Sequence, residues 1–589
     1  MMRRLPRTDT PFVLLDDARV TGAAAARLYV DPVEIVVTRR MDDIATALEA
    51  LRTATRGGLH AAGYLAYEAG HALEPTLTPL VATTTEAPLL WFGLFRGFEE
   101  IAPDDVAARL PDPAGAWIGA PTPDIDRADY DTAMTKVQAL IEAGDIYQAN
   151  LTFGATVNTA GHPLALYVGL RARARAGYGG VIHTGRDWML SLSPELFFAC
   201  DGARVWTRPM KGTALRGADP DEDRAAAETL KTDPKQRAEN LMIVDLLRND
   251  LSRIARPGTV AVPDLFRVET YPTVHQMTST VTGDLAEGCD AIDIIRAIYP
   301  CGSITGAPKI RAMEAIADIE HAPRGVYTGS IGRIDAGGVS AAFNVAIRTL
   351  SLGEGTARLG LGSGIVADSN TRDEWAECLA KGTFIASARR FDLIETMAFD
   401  PVYGLLRLDA HLARMKMSAA MFGFAFDRHA ARNELQAATF HLREPRRVRL
   451  LLARSGAMAI ETRPLPDPPT GDVSVALAAL PVDADDFRLR HKTTDRGFYD
   501  AGRKGVFEIL FTHPDGFLTE GSFTNIFVAD GDMLLTPPLA RGLLGGILRA
   551  ELIETGKARE ADLRPDDLAH GFFIGNSLRG LLPAKLVAL

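Results

Sequence analysis

The sequence predicts an α/β chain of two domains. Three observations carry that reading. At 589 residues the chain is too long for one ordinary core, since domains run to roughly 100–200 residues. Its 47% hydrophobic and 24% charged residues are globular proportions, which exclude a disordered or fibrous chain. Short apolar runs alternate with amphipathic helical stretches, and this grammar restarts after Arg390. The expected division is 1–389 and 390–589, with almost no linker.

The elements follow in order. The first 120 residues alternate apolar runs with Gly and Pro breaks, and Pro111, Pro113, Pro121 and Pro123 mark a loop. Tyr130 to Ala143 reads as a helix with Met134, Val137, Leu140 and Ile141 on one face and Gly144 as its C-cap. IYQANLTFGATV then reads as a strand. Residues 236–254 read as a helix with the stripe Ile243, Leu246, Leu247, Leu251 and Ile254, and FRVETYPTVHQMTSTV as extended. Pro308 opens a helix that Ile310, Met313 and Ile316 continue. Strand-like AFNVAIRTLSL and RLGLGSGIVA precede a helix over 371–388. In the second half, RPLPDPPTGD (463–472) reads as a connector, and GVFEILFT, FLTE and SFTNIFV alternate strand with turn.

Charge and cysteine usage narrow the function. With 64 basic and 75 acidic residues the net charge is −11, so a nucleic acid is not an expected partner. Cys200, Cys289, Cys301 and Cys378 are scattered, which fits reduced thiols in a cytoplasmic protein and neither a zinc site nor a disulfide framework. The opening MMRRLPRTDT has early arginines without the apolar run of a signal peptide, and no stretch reaches the about 18 apolar residues that a membrane span needs.

Glu374, Glu377 and Lys381 share one face of a helix, three and four residues apart. This spacing fits a solvated face with a Glu–Lys pair, or, with Glu239 on a second amphipathic helix, a hard divalent cation such as Mg2+. GSITGAPK (302–309) is Gly-rich and opens a helix, so it is either a helix-entry turn or an anion cradle. It is not a Walker A loop, because Ala307 follows Gly306.

Residues 60–388 resemble the chorismate-utilising enzymes: the large subunits of anthranilate and aminodeoxychorismate synthase, and isochorismate and salicylate synthases. GYLAYEAG, AGDIYQANL, SLSPELFF, TRPMKGTALRG, RAENLMIVDLLRNDL, ETYPTVHQMTS, PCGSITGAPKIRAMEAI, RGVYTGSIG, NVAIRTL, GSGIV and DEWAECLAKG carry the resemblance. It implies a large domain of layered antiparallel sheets with surrounding helices. It also implies that Glu239 and Glu377 bind Mg2+, with Glu374 in support, and that Glu195 is the general acid for departure of the C4 hydroxyl. Thr305, Tyr327, Arg348, Gly362 and Lys381 would hold the carboxylates of chorismate, with Gln148, Thr213 and Gly364 in the same substrate site. His275 would face the reacting ring.

Two positions sort the subfamily. Isochorismate and salicylate enzymes have a water-activating lysine where this chain has Gln148, and Gln cannot take a proton. Lys211 in PMKGT resembles the lysine of aminodeoxychorismate synthase, which attacks C2 of the ring before ammonia enters at C4. No GxCxG elbow surrounds any cysteine. The resemblance therefore implies a separate glutamine amidotransferase subunit, or free ammonium.

Lys492, in RLRHKTTDRGFYD, precedes FLTEGSFTNIFV, which sets Glu520, Ser522, Thr524 and Asn525 around a turn. An inward carboxylate needs a cation, and a protonated pyridine nitrogen is one. RGLLGGILRAEL then places glycines before a helix, a phosphate cradle of backbone N–H groups. With HLARMKMSAAMFGF and FFIGNSLRGLLPA, these runs resemble fold-type IV pyridoxal-phosphate enzymes over about 390–589. This group includes branched-chain and D-amino-acid aminotransferases and aminodeoxychorismate lyase. The resemblance implies a two-lobed domain in which Lys492 bears pyridoxal 5'-phosphate and moves the proton. Glu520 would hold the pyridine N–H, and Arg414, Ile547, Leu548 and Ser577 the phosphate. Arg496 and Tyr499 would line the pocket. It also implies a homodimer. The family's usual stretch ahead of the segment matching FDLIETM has no counterpart here, which predicts a shortened small lobe.

The joint expectation is two-step 4-aminobenzoate synthesis: chorismate and ammonia to 4-amino-4-deoxychorismate, then elimination of pyruvate. The alternatives are an anthranilate synthase large subunit joined to an aminotransferase, and a non-catalytic scaffold. Lys211 weighs against the first of these. The joint presence of Glu195, Glu239, Glu377, Lys211, Lys492 and Glu520 weighs against the second.

Overall fold

Apolar runs such as LWFGLF (90–95), buried at every position, require cover on both faces of a sheet, and the first half of the chain supplies it. The computed structural model describes residues 10–77, 84–271, 274–353, 355–387, 389–499 and 505–588. The early arginines of residues 1–9, Pro272 and Thr273 of ETYPTVHQMTS, Ala388 and Asp500 lie outside the described residues.

The described chain divides into two units. The first comprises the residues up to Leu110, then Ala120–Val157 and Tyr167–Ala386; the second comprises Pro111–Gly119, Asn158–Leu166 and the residues from Ser387 onward. In the first unit one large sheet runs Gly306–Ala307, Gln148–Ala160, Thr356–Ile365, Thr349–Leu352, Trp188–Ser193, Tyr178–His183, Phe12–Asp16, Ala26–Val30, Glu99–Ile101. The other runs Met210–Leu215, Val274–Asp284, Arg204–Arg208, Leu196–Asp201, Ser340–Asn344, Ser330–Ile334, His60–Leu65, Leu90–Phe95, Glu34–Thr38, antiparallel at each junction. The two sheets share an inner core in which Val13, Tyr29 and Ile182 of one meet Tyr64, Trp91 and Ile331 of the other. The helices Ile44–Arg56, Pro234–Ser252 and Ala291–Ile298 bury Leu48, Leu51, Ile243, Leu247, Ile292 and Ile295 against the second sheet.

Local chemistry sets the helix ends. Asp126 caps Arg127–Glu142 by accepting from the Asp129 N–H at 2.9 Å. Gly144 just beyond takes φ +80°, the left-handed stop that favours glycine. Pro234–Ser252 starts two residues earlier than its apolar stripe indicates, because Asp233 caps it and Pro234 fits its first turn. The helix after Pro308 spans Lys309–Ile319, but its buried face is Ala312, Met313, Ile316 and Ile319. Ile310, expected on that stripe, is 42% exposed, because it stands on the opposite side of the helix from Ala312. The helix expected over 371–388 ends at Gly382. The proline-marked loop holds the short strands Trp117–Ile118 and Thr122–Pro123.

The second unit has two lobes. Its small sheet runs Gly404–Leu405, Leu393–Asp400, Arg446–Leu452, Met458–Pro464, packed on the helices Leu408–Phe422 and Arg428–Thr439. Its larger sheet has eight strands, with Val473–Ala479 pairing in parallel with both Glu508–Thr512 and Gly580–Leu586. The connector 465–472 joins the lobes. Trp117, on one of the two segments drawn from the first half, is buried in the small-lobe core, its ring edge-on to Phe422 at 4.9 Å.

Candidate active sites

In the first unit, Lys211 stands on the strand Met210–Leu215, Glu239 on the early turns of Pro234–Ser252, Gln148 at the start of its strand, and Gly364 near the end of Thr356–Ile365. A methyl group on Gly364 would lie 2.9 Å from Lys211 Nζ and 3.1 Å from Gln148 Nε2, so the two side chains meet over one glycine. Lys211 Nζ is 3.5 Å from Glu239 Oε2. Asn240 Nδ2 donates to the Lys211 carbonyl at 3.2 Å and is itself fixed by the Ser279 hydroxyl at 2.6 Å. Gln148 is buried, and its Oε1 accepts no hydrogen bond from the described residues. An unmet buried acceptor costs about 1–3 kcal/mol, a cost that a donor on a ligand removes.

Glu195, only 4% exposed, accepts from Ser303 Oγ at 2.7 Å. Burial raises its carboxyl to about 7, although Ser303, the Met210 N–H and Lys211 pull it down. Such a group holds a proton near neutrality and can give it up, which is what a general acid does.

Glu377 and Lys381 lie on Thr371–Gly382, a helix capped by Asn370. Lys381 Nζ is 2.7 Å from Glu377 Oε1 and donates to the Gly362 carbonyl at 2.9 Å. Burial works against ionisation of Glu377, but Lys381, with Lys211 and Lys235, outweighs it and holds the carboxyl below its ordinary range. Glu374 accepts from Ser369 Oγ at 2.7 Å. Among the described residues no three metal-ligating groups form a ready-made cluster. Glu239 and Glu377 both feel the Lys211 charge, and an all-oxygen donor pair suits Mg2+, which completes its shell with water and substrate oxygens.

Arg348 sits at φ +49°, and burial lowers its pKa. The Tyr327 ring lies against Gly360, where a methyl group would be 2.0 Å away. The Thr305 hydroxyl donates to the carbonyls of Cys301 and Gly302 within its own turn. Thr213 is exposed and donates to Gln276 at 2.9 Å. Both His275 nitrogens are engaged, Nε2 with Asp223 at 2.9 Å and Nδ1 with Thr270 at 3.0 Å. The polar groups of Thr305, Thr213 and His275 are therefore committed to the protein itself.

In the second unit, Lys492 follows the short helix Phe487–Arg490, and its carbonyl accepts from the Ile394 N–H at 3.0 Å. Burial lowers its amine to about 7, opposed by Glu395 and aided by Arg414, Arg496 and Arg449. Glu520 is buried, accepts from Tyr499 Oη at 2.5 Å and the Leu544 N–H at 3.1 Å, and is raised by burial to about 8. Those partners are neutral, which leaves the carboxylate suited to a cationic N–H. Glu395 grips Arg414 at 2.8 and 2.7 Å and His411 Nδ1 at 2.6 Å, while Arg414 Nη1 donates to the Gly545 carbonyl at 2.9 Å. The helix Ile547–Glu554 begins beside this arginine, capped by Gly546, where a methyl group would meet Asn525 Oδ1 at 1.9 Å. Its first N–H groups, at Ile547 and Leu548, have no intrahelical acceptor. Arg407 Nη1 reaches the Ser577 carbonyl at 3.5 Å. Arg496 donates to the Ser522 carbonyl at 2.9 Å and lies over Tyr499. A depressed lysine, a buried acid whose hydrogen-bond partners are neutral and a helix start beside an arginine together fit the donor set that pyridoxal 5'-phosphate needs.

Residues 11–387 match the chorismate binding enzyme family. The chain belongs to that family. Residues 392–587 of this chorismate binding enzyme match class IV aminotransferases. Aminodeoxychorismate synthase component 1 of Klebsiella aerogenes is 40% identical over 292 residues, 47% of this chain and 63% of that protein. Anthranilate synthase component 1 of Streptomyces coelicolor is also 40% identical, over 275 residues, 46% of this chain and 53% of that protein. The match thus spans about half to three fifths of these relatives, and identity does not separate the two activities. The structure of anthranilate synthase component I from Streptococcus pneumoniae aligns with a TM-score of 0.53 at 25% identity, over 62% of this chain and 93% of that one.

Four groups went unread in the sequence. Ser303 lies within GSITGAPK, whose glycines drew attention to its backbone. Asn240 is the neighbour of Glu239 and holds Lys211 from behind. Glu508 is buried and gathers the N–H groups of Ser522 and Phe523 and the hydroxyls of Ser522 and Thr524, so the turn after Glu520 is built around it. Glu395 had a visible signal, an acid inside the strand LIETMAFD, whose other residues are apolar apart from Thr396 and the terminal Asp400.

Proposed function

We propose that this chain makes 4-aminobenzoate from chorismate in two consecutive reactions. The observation that carries the first is the meeting of Lys211 and Gln148 over Gly364, beside Glu239. A glutamine there cannot activate water, and an amine is present to act as nucleophile. In this reading Lys211 attacks C2 of the ring as Glu195 protonates the departing C4 hydroxyl. Ammonia then adds at C4, and the Lys211 nitrogen is expelled from C2. Glu239 and Glu377, supported by Glu374, would hold Mg2+, which would neutralise the ring carboxylate. Arg348, Lys381 and the backbone around Gly362 orient the remaining carboxylate. The names of the relatives, as component 1, support a separate amidotransferase as the ammonia source.

In the second reaction pyridoxal 5'-phosphate, held by Lys492, Glu520, Arg414, Ser577 and the start of the Ile547 helix, would supply an electron sink. Lys492, about half neutral near pH 7, takes the proton from C4 of the amine. Pyruvate leaves and the ring becomes aromatic. We further propose a homodimer formed through the second unit. The four free cysteines support a cytoplasmic location.

Incubation with chorismate, Mg2+, ammonium and pyridoxal 5'-phosphate, followed by chromatography, tests both assignments. Formation of 4-aminobenzoate and pyruvate is expected. Anthranilate as the product overturns the role given to Lys211, and accumulation of 4-amino-4-deoxychorismate overturns that of the second unit.

A further inference from the structure

The strand Val274–Asp284 pairs with Met210–Leu215 and with Ala261–Thr270, and both ladders are interrupted. Met210 pairs with Thr278 and Thr213 with Gln276, so Lys211 and Gly212 together oppose Met277 alone. In the other ladder Asp264 pairs with Thr280 and Arg267 with Thr278, so Leu265 and Phe266 together oppose Ser279 alone. Each is a β-bulge, an extra residue that bends its strand and re-aims a side chain. Gly212 takes φ +98° and Phe266 φ +60°, a region that a bulky side chain rarely adopts.

A bulge takes backbone groups out of the ladder, and here side chains meet them. Asn240 Nδ2 donates to the Lys211 carbonyl at 3.2 Å, and Gln276 Nε2 donates to the Gly212 carbonyl at 2.8 Å. The Thr213 hydroxyl holds Gln276 by donating to its Oε1 at 2.9 Å. Asn240 Oδ1 accepts from the Ser279 hydroxyl at 2.6 Å, and Ser279 Oγ accepts from the Phe266 N–H at 3.1 Å. Hydrogen bonds therefore run without a break from one bulge through Ser279 and Asn240 to the other. Asn240 and Ser279 are fully buried, where solvent does not replace a lost partner. Arg237, one turn before Asn240 on the helix that carries Glu239, lies over the Phe266 ring at 4.6 Å.

We propose that Asn240 and Gln276 are positioning residues for Lys211, holding the bulge at Lys211 and Gly212 so that Nζ is aimed at the ring carbon it attacks. Ser279 and the bulge at Phe266 fix Asn240 in turn. This assignment rests on the reading that Lys211 is the nucleophile of the first reaction. Attack needs the reacting atoms about 3–3.5 Å apart, and a misplacement of about 1 Å costs about a hundredfold in rate. Other groups hold the carboxylates of the substrate, so a loosened bulge lowers kcat and leaves KM in place.

The test uses the full chain and its Asn240→Ala, Gln276→Glu, Ser279→Ala and Lys211→Ala variants. Gln276 is half-buried, and Gln276→Glu keeps the acceptor for Thr213 while losing the donor to Gly212, so it reads the bulge without a core substitution. Consumption of chorismate with Mg2+ and ammonium gives kcat and KM. The melting transition and conversion of supplied 4-amino-4-deoxychorismate report on the fold. A fall of about tenfold to a hundredfold in kcat, with KM within about threefold, is expected for Asn240→Ala and Gln276→Glu. A smaller fall is expected for Ser279→Ala, in which Asn240 keeps its own bond to Lys211. A rise in KM at unchanged kcat would show that this segment binds substrate and would overturn the positioning role. A fall in kcat matched by a rise in KM and a lower melting transition would mark a merely structural role and overturn it as well. Unchanged kcat in Asn240→Ala and Gln276→Glu, with Lys211→Ala inactive, overturns the positioning role while that of Lys211 stands. Full turnover by Lys211→Ala overturns the reading of Lys211 itself, and the positioning role falls with it.

Discussion

Replacing Glu195 by Gln removes a carboxyl that burial holds at about 7, against an ordinary value of 4.5. Between those two values the folded chain keeps a proton that the unfolded chain releases. The folded state binds more protons there, so stability falls as pH rises. The contribution of Glu195 is intact below about pH 4.5 and is lost as pH passes 7. A displacement of about 2.5 pH units at about 1.36 kcal/mol each gives a cost near 3 kcal/mol for the ionised form at pH 8. Glutamine keeps the acceptor for Ser303 Oγ, 2.7 Å away, and carries no charge. Glu195→Gln is therefore expected to be more stable than the parent by about 3 kcal/mol at pH 8 and about equal to it at pH 4.5. Denaturant unfolding of both proteins across this range measures the difference, in which all other titrating groups cancel. The variant is also expected to lose formation of 4-amino-4-deoxychorismate. A stability difference that does not vary with pH would refute the argument that burial sets the Glu195 carboxyl.

Other perturbations test the remaining assignments. Lys211→Ala is expected to lower the first reaction by at least a hundredfold without altering conversion of supplied 4-amino-4-deoxychorismate, each step measured separately by chromatography. Lys492→Ala is expected to lose the near-visible absorbance band, and the second reaction of the parent should rise as pH passes through about 7, because the amine must be neutral to take a proton. Glu395→Gln leaves His411 and Arg414 without their carboxylate and is expected to cost about 3–5 kcal/mol, read as a lower melting transition and weaker cofactor retention. Trp117→Ala removes a ring that is 3% exposed in the small-lobe core. It is expected to destabilise the second unit by about 3–5 kcal/mol while leaving the first reaction in place.

The sequence was legible where one segment settles its own conformation. The helix Arg127–Glu142 and the glycine after it follow from periodicity, a cap and a left-handed stop, all within the segment. The pairing of Phe12–Asp16 with Tyr178–His183 does not, because both runs are buried at nearly every position and neither carries a pattern that singles out the other. Pro111–Gly119 reads as a loop because prolines interrupt it, yet Trp117 within it is buried in the second unit. Burial of that side chain depends on Phe422, some 300 residues on, which no local pattern reports. The sites divide in the same way. Lys211, Glu239, Lys492 and Glu520 stand in motifs that carry the family resemblance, and it is the resemblance that singles them out. The Ser303 hydroxyl meets Glu195 across 108 residues, so only the folded chain shows that the acid is held by a donor.

Both candidate sites carry polar groups that cost free energy in the free protein. Gln148 has an unmet buried acceptor, Glu195 and Glu520 are acids held neutral by burial, Lys492 is an amine held near neutrality, and Arg449 has a buried donor without an acceptor. Structural roles rarely require this, because a core position gains more from an apolar side chain of similar size. In each unit the strained groups differ in sign and type: an acid, an amine and an amide in one, an acid, an amine and guanidiniums in the other. A ligand that satisfied only one group would leave the others unmet. A chorismate-like molecule presents a hydroxyl to be protonated, a ring carbon to be attacked and carboxylates to be held. These are the three complements that the first unit lacks. On the proposed function, the second unit awaits a cationic ring nitrogen beside Glu520 and a proton for Lys492 to take, which a cofactor and an amine substrate would supply together. On the proposed function the two deficits are chemically consecutive, since the amine that the second reaction would consume is the product that the first would make.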